Sequence, residues 1–88
     1  MTETETLVHL LTVIDGQSEE LVDLVELPAF VATEYHKQFD VDPLRDPNML
    51  DRYSVGPDDT AFLLKQIGRP MEFDFQRFAY FIEAAKKN

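Results

Sequence analysis

The side chains that could do chemistry in this 88-residue chain are two histidines, two serines and seventeen carboxylates, with no cysteine among them. A metal centre without thiolates needs both His9 and His36, plus carboxylates brought beside them. Nothing in their spacing groups them. His9 falls in "TLVHLLTVID" and reads as a strand-face residue, and His36 falls in "PAFVATEYHKQF" and reads as a solvent-facing helix residue. The stretch "DVDPLRDPNMLD", residues 40–51, has aspartates where a calcium loop begins. It then has Leu44 at the third ligand position, Arg45 where the turn needs glycine, and Asp51 where the loop closes on glutamate. Its Asp and Pro residues are better read as turn formers. Ser18 and Ser54 lie outside any Gly-x-Ser-x-Gly context. Gly16, Gly56 and Gly68 are too scattered to cradle a phosphate. No catalytic residue, cofactor or metal is assigned, and the chain is expected to be no enzyme.

The carboxylates themselves are the signal. Net charge is -9, and it is unevenly spread. Residues 1–51 hold 12 acids against Lys37 and Arg45, which is -10; residues 52–88 hold 5 acids against 6 bases, which is +1. A field of this sign repels phosphates and anionic membranes and attracts basic protein surfaces. The aromatic run Phe73, Phe75, Phe78, Tyr80 and Phe81 has too few interleaved cations for a nucleic-acid stacking platform. It is expected to pack in the core, with Tyr80 on the more polar, exposed side.

These residues need elements to position them. The whole chain, 1–88, reads as one α+β domain with a frayed start at 1–5. The β-branched, almost continuously apolar run over 7–14 ends at Asp15-Gly16 and reads as a strand entering a turn. "SEELVDLVEL" alternates acids with Leu and Val, and Pro28 stops it. It fits a short helix from Ser18 or a strand over 20–26, and pairing it with the first strand as a hairpin satisfies both backbones. Pro28 at a first helical position, with Val31, Tyr35 and Phe39 at four-residue spacing, predicts a helix over 29–39. A short strand is expected over 50–55 and a helix over 58–67, capped by Gly68. Asp74 as N-cap, a Phe73–Phe78 staple and a stripe of Phe75, Phe78, Ala79, Ile82 and Ala85 predict a closing helix over 75–86. The expected order is therefore ββαβαα: a small sheet, hairpin plus third strand, with three helices in two layers.

The frame "VIDGQSEELVDLVELPAF", "DRYSVGPDDTAFLLKQIG" and "FDFQRFAYFIEA" resembles small, uncharacterised bacterial α+β proteins of the kind that act as immunity proteins beside polymorphic toxins. The resemblance covers about residues 8–84. Its motifs are mostly core and turn residues, and Ala79 stands where the pattern has Asp, so no functional residue is carried over from it.

Charge and resemblance together lead to an acidic, non-enzymatic binding protein. The expected function is toxin neutralisation, by masking a basic partner such as a nuclease that needs a positive face for its substrate. The residues expected to meet that partner are Glu19, Glu20, Asp23, Glu26, Glu34, Asp40 and Asp42. The alternatives are a regulatory or structural interaction module, which could be a homodimer, and a DNA-mimic inhibitor. Acids replace the basic start of a signal peptide, and no apolar run is long enough to span a bilayer, so a cytoplasmic location is expected, with no membrane or nucleic-acid partner.

Overall fold

The computed structural model of the chain describes residues 6–87. The element order is β1 (Thr6–Asp15), β2 (Leu21–Glu26), α1 (Ala32–Phe39), β3 (Tyr53–Ser54), a 3-10 turn (Pro57–Asp59), α2 (Thr60–Ile67) and β4 (Phe78–Lys87). The four strands form one antiparallel sheet in the order β2-β1-β4-β3. The expected frayed start at residues 1–5 lies outside the described residues.

The architecture corrects the expected ββαβαα order to ββαβαβ. The segment expected as a closing helix over 75–86 is β4, which pairs with β1 from Thr6↔Lys87 to Asp15↔Phe78. The helical stripe was real but ambiguous, because this segment is apolar on both faces of a strand as well. Phe, Tyr, Phe and Ile favour strand. A helix here would also leave the second edge of a ten-residue β1 without hydrogen bonds. Asp74 caps no helix. Its backbone carbonyl accepts the Phe78 N–H at 2.9 Å and its Oδ1 accepts the Gln76 N–H at 3.1 Å, forming the turn that launches β4. Tyr80, expected to be exposed, is buried, and its hydroxyl accepts the Asp74 N–H at 2.8 Å.

The hairpin is present. Asp15 Oδ1 accepts the N–H groups of Gln17 (2.8 Å) and Ser18 (3.0 Å), which shapes the turn. These N–H groups, Ser18 first, hold the Asp15 carboxyl below its ordinary range. Gly16 donates its N–H to the Arg77 carbonyl at 2.9 Å, and a Cβ on Gly16 would stand 3.0 Å from that oxygen. A side chain here would force the turn before β4 to give way, so glycine is favoured by that close approach. A register shift at Val13/Ile14 places an extra residue in β2, so that Leu21 rather than Val22 stands opposite Ile14.

The first helix starts later than expected. Ala29 has φ 48° and Val31 is extended, so Pro28 opens a turn and α1 begins at Ala32. Phe30, in this turn, stacks on His9 with centroids 3.6 Å apart and on Tyr35 at 4.1 Å. The core joins one face of the sheet (Leu11, Val13, Val25, Tyr80, Ile82) to Tyr35 of α1, Leu63 and Ile67 of α2, and Met49 and Val55 of the connections. Both helices therefore lie on that one face, giving two layers.

Candidate functional site

Two histidines and one aspartate make the long connection between α1 and β3 a fixed part of the domain. His36 is buried, contrary to the solvent-facing position expected for it, and its Nε2 donates to the Asp46 carbonyl at 2.9 Å. The Nε2 of His9 faces the carbonyls of Asn48 and Met49, each at 3.0 Å, so that nitrogen carries the proton. The buried Asp46 carboxylate accepts the N–H of Leu50 (2.8 Å), the N–H of Asp51 (3.1 Å) and the Tyr53 hydroxyl. Burial pushes this carboxyl up. The Leu50 N–H, the Tyr53 hydroxyl and the Asp51 N–H outweigh burial and hold it below the ordinary aspartate value. These groups are spent on structure. Among the described residues, no three His, Cys, Asp or Glu side chains converge as a metal site.

Among the described residues, no helix lies on the other face of the sheet. Its side chains follow from the register. Leu21, Ile14 and Ala79 form one row; Leu24, Thr12, Phe81 and Ser54 the next; then Glu26, Leu10 and Glu83; then Val8 and Ala85. Leu21 and Leu24 are 56% and 49% exposed. Near the middle, the Arg52 guanidinium lies 3.7 Å from the Phe81 ring centroid, and its Nε is 3.6 Å from Glu83 Oε2. The same Glu83 oxygen accepts the Thr12 hydroxyl at 2.7 Å. A hollow of about 350 Å³ joins this face to the hairpin turn and is lined by Ile14, Asp15, Glu19, Arg52 and Phe81, among others.

β2 is the outer strand on the acidic side of the sheet. Leu27 donates its N–H to the His9 carbonyl, so by alternation the Leu24 N–H points away from β1. It is taken instead by Asp23 Oδ1 at 2.8 Å. A carboxylate on the outward N–H blunts the strand against further pairing.

All seven acids expected to meet a partner are exposed, and they fall in three places. Glu19, with φ 60°, and Glu20 are at the hairpin turn, with Asp23 and Glu26 along β2. Glu26 lies on the open face, and Asp23 is in register with Val13 of the helix-covered face. Glu34 is on α1, where Oε1 accepts from Gln66 of α2 at 3.2 Å. Asp40 ends α1 with φ 54°, and Asp42 Oδ1 accepts the Leu44 N–H at 2.9 Å in the pinned connection. The hairpin group thus adjoins the open face, whereas Glu34 belongs to the helical layer. Sequence reasoning did not single out Leu21, Leu24, Arg52 and Phe81, which lie on the open face. Their signal was available: "FAYFIEA" is apolar at both parities, as a strand with two apolar faces must be.

No helix among the described residues is long and apolar enough to cross a membrane. Searches of curated proteins and of solved structures gave no match. A family match extends over residues 8–83, from within β1 to within β4, and the chain belongs to the family described as a domain of unknown function, DUF7683.

Proposed function

We propose that this protein is a non-enzymatic, cytoplasmic, immunity-type inhibitor that covers a basic surface of its partner. The observation that carries this reading is the hairpin: Glu19, Glu20, Asp23 and Glu26 are exposed beside the exposed Leu21, Val22 and Leu24. Acids at the rim steer a basic partner and set its orientation, while adjacent apolar area supplies the contact that persists after encounter. A partner that works on nucleic acid needs its cationic face free, and an acidic cover on that face inhibits without chemistry.

The test is charge reversal of Glu20, Asp23 and Glu26 to Lys in one chain. Exposed ion pairs contribute about 0–1 kcal/mol per pair to folding, so the variant should remain folded. Affinity capture from the native host, with the reversed variant as control, should recover a basic protein on the parent alone. Its association should slow with added salt. Equal recovery on both chains, with the same salt dependence, would remove the hairpin acids from the interface.

A further inference from the structure

We infer that the open face of the sheet is the docking surface, and that its occupant is a basic protein surface with an apolar stripe bordered by Lys or Arg. This rests on the binding role proposed above and adds where and with what chemistry the partner is held. Leu21 and Leu24, about half exposed, with Leu10, Ile14 and Phe81, give the face apolar area around the polar Thr12–Glu83–Arg52 cluster at its middle. Glu26 and Glu83 flank Leu10 in one row, and Glu19 stands at the turn end beside the hollow next to Ile14 and Phe81. The sheet is long enough for a real interface. β1 and β4, of ten residues each, run about 33 Å and β2, of six residues, about 20 Å; side by side they span roughly 14 Å, a footprint on the order of half the ~800 Å² per partner of a specific complex, so the partner also reaches the exposed hairpin turn.

Charge selects the occupant. With -9 on each chain, the long-range field opposes the approach of a second copy. A basic partner meets no such obstacle, and its Lys or Arg side chains would lie beside Glu19 and Glu20 at the hairpin turn, with its aliphatic stripe along β1. Arg52, held against Phe81 and Glu83, is already in place and adds a fixed donor for a partner carbonyl or carboxylate.

The experiment uses the full chain, isotope-labelled, and two peptides of equal positive charge. One is an amphipathic Leu–Lys helix of about 20 residues, roughly 30 Å and so as long as β1. The other has Ser in place of Leu. The Leu–Lys peptide should shift the amide signals of Leu10, Thr12, Ile14, Leu24 and Phe81, and should bind about tenfold or more tightly than the Ser–Lys peptide. The double variant Ile14→Thr with Leu24→Thr should erase that advantage while remaining folded, judged by its thermal midpoint. If both peptides bind the parent equally, charge alone is at work: the masking role survives and this docking face is overturned. Shifts confined to α1 and α2 overturn it too. So does sedimentation showing a dimer that the double variant dissolves, since the occupant is then a second copy. Binding of neither peptide overturns this inference and the masking role together.

Discussion

On the helix-covered face of β1, Leu11 and Val13 are buried opposite Ile82 and Tyr80, and one residue away along the same strand Leu10 and Ile14 are only half-buried. Their neighbours Leu24 and Leu21 on β2 are about half exposed. The side chains are similar and the backbone is shared, so the difference comes from what lies above each face. One face has two helices and a connection pinned by His9, His36 and Asp46. The other has no helix among the described residues; Arg52 lies over Phe81, Glu83 holds the buried Thr12, and Leu21 and Leu24 meet water. Two-layer packing needs only one apolar face per sheet, so the apolar character of the second face is unnecessary for folding. That separation makes the faces testable independently, one by stability and the other by binding.

The largest effect should come from the covered face. Ile82→Ala, at a fully buried position on a central strand, should cost about 2–5 kcal/mol in denaturant unfolding. Leu24→Ala on the open face should cost less than about 1 kcal/mol, in the range of surface changes. Equal costs for the two would break the distinction between the faces.

Next is the pinned connection. Asp46→Ala leaves the Leu50 and Asp51 N–H groups and the Tyr53 hydroxyl without their acceptor, which should cost about 1–3 kcal/mol. The same group sets an acid limit. Its carboxyl is held low in the folded chain, so its contribution is present above the unfolded aspartate value and is lost as pH falls through the lower folded one. Stability measured against pH should therefore drop on the acid side in the parent, and the drop should shrink in Asp46→Asn. A parent and Asn variant with parallel acid limbs would assign the transition to other carboxylates.

Tyr35 sets the alkaline limit. Burial, and then the nearby Glu34 charge, push its phenol from the ordinary value of 10 up to about 12. The stability linked to its neutral form is complete below pH 10 and is lost as pH rises toward 12. Its hydroxyl is buried without a hydrogen-bond partner among the described residues, so Tyr35→Phe should be close to neutral at pH 7 and should flatten the alkaline limb. A loss above about 1 kcal/mol at pH 7, the scale of a hydrogen bond, would mean that the hydroxyl has a partner in solution. The smallest effect sharpens the comparison most: Leu24→Thr keeps a strand-forming side chain and should leave the thermal midpoint unchanged. A shift of several degrees would show that something already covers the open face.

Local patterns were legible without the fold. The β-branched run before Asp15-Gly16 pointed to β1 and its turn, and "SEELVDLVEL" between that turn and Pro28 fitted a strand or a short helix, with pairing to β1 favouring the strand. Gly68, with φ 75°, marked the end of α2 as expected. The candidate acids were also legible, because a carboxylate among alternating residues at a chain turn has few places to go but solvent. His36 was misread for a physical reason: a polar residue beside Tyr35 looks exposed until the Asp46 carbonyl, ten residues along the chain, is brought to its ring.

The sequence alone settled the charge asymmetry, α2 and the α+β class, since each depends on residues close together in the chain or on their simple sum; it favoured the hairpin over a short helix without deciding between them. Tertiary structure decided the rest. Whether "FAYFIEAAKK" is helix or strand turns on whether β1 has a free edge to offer it, and that edge lies more than sixty residues away in the chain. Which of two apolar faces stays open turns on where α1 and α2 come to rest. Both are questions of pairing and packing at long range, where the backbone's need for hydrogen-bond partners and the burial of one shared core override local preference.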